Sequence, residues 1–177
     1  QSDMTPNGAV TSAQAEAAID RAMATWDAVP CNKATIVKQV DSGADPDLVD
    51  GLVGFGGVGT PYLADIVHAG WMPPAFFDFF LPGSGTSFLA VTFSTILLDA
   101  PSDHDIDGNH YFDVGMCETY YNNHFNWGIN ADPPIADVQS VALHEAGHGL
   151  TMGHFGSISI QQDGSVQFSP FAVMNAV

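Results

Sequence analysis

Basic side chains are almost missing from this chain. Arg21, Lys33 and Lys38 stand against 20 acidic residues among 177, for a formal charge of −17. Such a surface repels phosphate backbones and anionic lipid headgroups, so electrostatics oppose nucleic-acid and membrane partners. Long apolar runs are missing too: nothing approaches the roughly 20 residues needed to cross a bilayer. No signal-like segment is present, and the first residue is Gln1; a secreted chain already trimmed of its leader is the simplest expectation. Cysteine is scarce, with Cys31 and Cys117 only. Two thiols do not prove a disulfide. In an extracellular setting Cys31–Cys117 is the one internal bridge they allow, and buried free thiols are the alternative.

Apolar residues, at 46%, are abundant enough to argue against disorder despite the charge. The length suits a single domain with its own core, and a monomer is expected. T-S-A-Q-A-E-A-A-I-D-R-A-M-A-T-W-D reads as a helix from about Ser12 to Asp27. Thr11 and Gln14 fit a capping box, and Ala15, Ile19, Ala22, Met23 and Trp26 form its apolar stripe. Residues 34–40 read as a strand, 41–50 as an acidic turn region, and the glycine-rich run from Gly51 as a strand entering a loop. Further strands are expected near Tyr62–His68, from Phe88 to about Asp99, and at M-C-E-T-Y-Y-N. The aromatic run 71–82 reads as a segment covering the core. Helix, strands and a late helix in that order predict an α+β class, a mixed sheet with two long helices.

The late helix, opening at Ala136 or Asp137, carries the chemistry. V-A-L-H-E-A-G-H-G-L-T-M-G-H places His144, Glu145, His148 and His154 in the spacing H-E-x-x-H-x-x-x-x-x-H. Residues four apart share a helix face, so His144 and His148 can present both imidazoles to one ion. His154 reaches the same ion only if the chain leaves the helix, and Gly149 and Gly153 are the expected points of freedom. Three nitrogen ligands with an open fourth position describe catalytic zinc, with Glu145 placed to take a proton from water.

A second cluster, D-H-D-I-D-G-N-H-Y-F-D, spans Asp103 to Asp113. Alternating hard oxygen donors suit a calcium loop made by Asp105, Asp107, Asn109, the Tyr111 carbonyl and Asp113. A register from Asp103 places Val114 at the position where an EF-hand needs an acidic residue. His104, His110 and His124 lie nearby without a zinc spacing.

The motif from His144 to His154, with F-A-V-M-N at 171–175, resembles the zinc site and Met-turn of the metzincin metalloproteases, and most closely the matrixins. Trp26 at the end of the first helix, Phe88-Leu89-Ala90 as an edge strand, and the loop from Tyr120 to Trp127 are similar to the corresponding matrixin segments. The resemblance implies a secreted zinc endopeptidase acting on polypeptides, with a zinc cleft and an N-terminal subdomain over about 1–155. A short C-terminal part, 156–177, would hold the Met-turn. It implies zinc on His144, His148 and His154, Glu145 as general base, and Met174 as the apolar floor. Leu89 and Ala90 would pair with an extended substrate, and Val141 would face the pocket for the side chain after the cut. Where metzincins have glycine this chain has Thr151. Two other readings fit the same residues: an extracellular binding or adhesion domain without proteolysis, and a zinc hydrolase of non-peptide amides or esters. Glu145 argues against the first, and the edge strand against the second.

Overall fold

A computed structural model of the chain describes residues 4–31, 33, 35–40, 48–56, 64–96, 110 and 113–175. Helix α1 is Ser12–Asp27, the span its apolar stripe predicts. Its capping box closes both ways: the Gln14 amide donates to Thr11 Oγ1 at 3.3 Å, and the Thr11 amide to Gln14 Oε1 at 3.0 Å. Ala15, Ala18 and Ala22 are buried. Small side chains on that face let α1 pack closely along helix α4, Val138–Gly149. Two cross-links fix the pair: Trp26 Nε1–H donates to the Leu143 carbonyl at 2.8 Å, and Arg21 Nε–H to Gln139 Oε1 at 2.8 Å.

Beneath these helices lies a mixed sheet in the order β1 (Ile66–Met72), β3 (Val114–Asn122), β2 (Ala90–Ile96). Strand β1 is parallel to β3, and β2 is antiparallel to it. Side chains alternate along β3. Thr119 and Tyr121 face α1 and α4, while Met116, Glu118 and Tyr120 face the short helices α2, Leu48–Val53, and α3, Pro74–Phe80. With both faces covered, β3 is buried over most of its length, as befits a central strand. The fully buried Glu118 carboxylate accepts from the Leu48 and Val49 amides at 2.7 and 2.9 Å, and from Tyr120 Oη–H at 3.1 Å. Those bonds offset the cost of taking a carboxylate out of water. The class is α+β.

Several expectations need correction. Residues 35–40 form no strand; they run beside α1, where the Ile36 amide donates to Asp27 Oδ1 at 2.9 Å and Lys38 pairs with Glu16 and Asp20. Residues 51–53, read as opening a strand, instead end α2, whose N-terminal amides Glu118 captures; 57–61 of that run lie outside the described residues. The strand expected near Tyr62–His68 is displaced to β1. Cys31 is exposed and Cys117 buried, both as free thiols, so the Cys31–Cys117 bridge is not formed. Cys117 lies behind α4, with Sγ 3.2 Å from Ser94 Oγ and 3.6 Å from the Gly149 carbonyl. In the aromatic run, Phe76 and Phe77 fill the lower core as expected, while Phe79, Phe80 and Leu81 are exposed.

Beyond α4 an antiparallel hairpin, β6 (Ser157–Ile160) and β7 (Val166–Ser169), stands away from the core. Ile158, Phe168, Ile160 and Val166 share one of its faces. No helix among the described residues is long and apolar enough to cross a membrane.

Candidate metal centre

Helix α4 starts where Asp137 Oδ1 accepts from the Ser140 amide at 2.8 Å, an N-cap that fixes the register of the following residues. A two-stranded bridge just before it, Trp127–Gly128 (β4) with Ala136–Asp137 (β5), anchors that start to the core. The helix stops at a Schellman turn: the Met152 amide donates to the Gly147 carbonyl at 2.9 Å and the Thr151 amide to the His148 carbonyl at 2.8 Å. The residue that must adopt a left-handed conformation in such a turn is Thr151, at φ 66°. Neither Gly149 nor Gly153 is left-handed, so the expectation that one of them breaks the helix is corrected. Glycine is the usual occupant; threonine here carries a steric cost that its neighbours must hold in place.

The turn returns His154 to the face of α4 that bears His144 and His148. His144 Nε2 lies 3.2 Å from His148 Nε2 and 3.3 Å from His154 Nε2. Ligands about 2.0–2.1 Å from a tetrahedral zinc stand about 3.3–3.4 Å from one another, so these spacings fit one ion. The other ring nitrogens fix the tautomers. His144 Nδ1 lies 2.7 Å from the Val173 carbonyl and His148 Nδ1 2.8 Å from the Met152 carbonyl. A carbonyl only accepts, so both protons reside on Nδ1 and both Nε2 atoms present bare lone pairs. Two such lone pairs cannot hydrogen-bond to each other; a cation between them satisfies both. Burial holds His144 below the ordinary imidazole value, with the Val173 carbonyl opposing and His148 adding to the shift. Burial and the other two imidazoles do the same for His154. Neutral imidazole is the metal-binding form. Among the described residues these three are the group able to share an ion.

Glu145 is buried at 6% exposure, one residue round the helix from the imidazole face. Its Oε2 accepts from Thr92 Oγ1–H at 2.7 Å. Burial raises its carboxyl above the ordinary value, against the opposing effects of Thr92, His148 and His154. The floor is the turn 172–175. Met174 is buried, and its thioether lies against Gly147, where a Cβ would collide with it. Asn175, also buried, locks the turn: its side chain donates to the Phe155 carbonyl at 2.7 Å and the Pro170 carbonyl at 3.2 Å, and accepts from the Ala172 amide at 2.7 Å. The Phe155 amide donates to the Met174 carbonyl at 2.7 Å. An apolar recess of about 440 Å³ opens beside His154, lined by Trp26, Met152, Phe155, Val173 and Met174.

The expected residues thus divide. His144, His148, His154, Glu145 and Met174 come together. Ala90 opens β2, an edge strand of the three-stranded sheet among the described residues, and Leu89 precedes it, half-buried, its carbonyl accepting from the Asn122 amide at 2.8 Å. Val141 is half-buried against the α1–α4 core, one turn before Glu145. Of the calcium set, Asp113 lies just ahead of β3; Asp103, Asp105, Asp107, Asn109 and Tyr111 lie outside the described residues. Sequence reasoning missed Thr92, Asn175 and the Val173 carbonyl. The motif F-A-V-M-N contains two of these, but gives no sign of which group bonds to what. Comparison with protein-family models, curated proteins and solved structures returns no match.

Proposed function

We propose that this chain is a secreted zinc endopeptidase of the metzincin type, with His144, His148 and His154 as the zinc ligands. The observation that carries the reading is the convergence of three Nε2 atoms, two with their protons fixed on the far nitrogen, beside a buried glutamate that is not needed as a ligand. Three imidazoles leave a tetrahedral ion one open position, the mark of a catalytic site. Bound there, zinc would lower the pKa of its bound water toward about 7 and polarise the scissile carbonyl.

The protein's own groups perform the rest. Glu145 accepts the proton of the attacking water and passes it to the leaving amine. The outer edge of β2 would offer main-chain donors and acceptors to an extended polypeptide, and Val141 would face the pocket for the residue after the cut. Met174, packed under α4, is the floor of the metal site, and the turn 172–175 corresponds to a Met-turn. Calcium in the aspartate loop is part of the same proposal.

Cleavage of denatured casein by the zinc-loaded protein, beside the Glu145→Ala variant, tests it. Chelator-sensitive cleavage that disappears in a variant still holding zinc is the expected result. Substantial cleavage by the variant would remove Glu145 from the mechanism. No cleavage by folded, zinc-loaded wild type would favour a binding domain.

A further inference from the structure

Strand β2 does more than border the site. Thr92 lies on it directly across from Thr119 of β3. The two hydroxyl oxygens are 2.8 Å apart, and Thr92 Oγ1 is also 2.7 Å from Glu145 Oε2. A hydroxyl carries one proton. The ionised carboxylate and the Glu145 carbonyl, 3.3 Å from the same hydroxyl, only accept, so the Thr92 proton goes to Glu145, chiefly to the nearer Oε2, and the Thr119 hydroxyl must then donate to the Thr92 oxygen. The result is a directed chain, Thr119 to Thr92 to Glu145. Thr119 is fully buried, and both members are β-branched residues on paired strands, with few rotamers open to them. Each hydroxyl polarises the next, which strengthens the final bond to the carboxylate.

We infer that Thr92 is a positioning residue for the general base: it engages Oε2 and reserves Oε1 as the oxygen that moves the proton. This rests on the peptidase reading above. In hydrolysis the proton leaves the attacking water for Oε1 of Glu145, then passes from Oε1 to the amine nitrogen as the carbon–nitrogen bond breaks. The Thr92 proton stays on Thr92 throughout. Because an extended substrate would pair with β2, one strand sets both the substrate's register and the aim of the base.

The test compares Thr92→Val, which keeps shape and loses the hydroxyl, with Thr92→Ser, which keeps the hydroxyl. Both are assayed on a quenched-fluorescence peptide after zinc content and melting temperature are matched to wild type. Thr92→Val should lower kcat about tenfold to a hundredfold, the scale of a misplaced catalytic group, with KM within about twofold. Thr92→Ser should return kcat to within about threefold of wild type. A readout independent of turnover is the Thr92 hydroxyl proton in the NMR spectrum, protected from exchange in wild type and displaced or lost in Glu145→Ala. An active wild type with an unimpaired Thr92→Val overturns the inference and leaves the peptidase standing. Equal loss in Thr92→Ser and Thr92→Val also overturns it, since the lost contact would then be the methyl group's. An inactive wild type overturns the peptidase reading, and this inference with it.

Discussion

His144 of α4 and Val173 of the turn 172–175 are joined by a 2.7 Å hydrogen bond from the imidazole Nδ1–H to the main-chain carbonyl. The bond ties α4 to the turn 172–175 and leaves Nε2 directed at the other two imidazoles. Everything that seats this turn therefore orients the His144 imidazole.

Gly147 is one such support. A Cβ there would meet the Met174 thioether, so Gly147→Ala must shift that side chain, and with it the packing of the turn on α4. The expected loss is about 1–3 kcal/mol of stability from overpacking. Zinc affinity should fall about tenfold to a hundredfold as the His144 partner moves. Urea unfolding and competition with a chromophoric chelator measure the two effects. Wild-type values in both would show that the turn does not orient His144.

Thr151 makes the opposite case. At φ 66° it carries a left-handed strain of about 1–2 kcal/mol, while glycine would add about 0.5–1 kcal/mol of unfolded-state entropy to be lost on folding. Thr151→Gly should come out about 0.5–1 kcal/mol more stable. A clear destabilisation in thermal melts would mean that the threonine side chain itself holds the turn.

The site was legible where local rules suffice. Residues four apart on a helix bring His144 to His148 whatever the sheet beneath does, and Thr11 with Gln14 marks the start of α1 unaided. The Thr92–Glu145 bond spans 53 residues and depends on which strand pairs with β3 and in which register, so no local pattern announces it. Glu118 reshapes 48–53 in the same way, by offering a carboxylate to helix amides 69 and 70 residues away. The β6–β7 hairpin is different, for its signal was present: Ser157 to Ile160 alternates, and Asp163-Gly164 is a turn pair, with Gly164 at φ 83°. Strands this short give too few alternations to stand out by periodicity alone.

His68 should make the metal-free protein acid-sensitive. It is half-buried in β1 with Nδ1 2.7 Å from Tyr121 Oη, and desolvation of the ring lowers its pKa from 6.5 to about 4, with Asp20 opposing. A folded value below the unfolded one means that protonation favours unfolding. The stability held by neutral His68 is complete above about pH 6.5, is lost as the pH falls toward 4, and changes no further below that. The full loss is on the order of 3 kcal/mol. His68→Gln keeps a partner for Tyr121 without titrating, so its stability should fall less steeply across this window. Parallel slopes would show that His68 does not titrate there.

Calcium should stabilise the folded chain if the aspartate loop binds it. At a hundredfold excess over its dissociation constant the gain is about 2.7 kcal/mol. Asp105→Asn with Asp107→Asn should abolish the rise in melting temperature. No rise in the wild type would remove calcium from the proposal.

The central claim, a zinc ion on three imidazoles with one position open, is tested most directly by X-ray absorption at the zinc edge of the loaded protein. Three nitrogen scatterers and one oxygen, each at about 2.0–2.1 Å, with one histidine lost from the shell in His154→Ala, are the expected result. A sulfur scatterer, four protein nitrogens, or a shell unchanged by His154→Ala would contradict it.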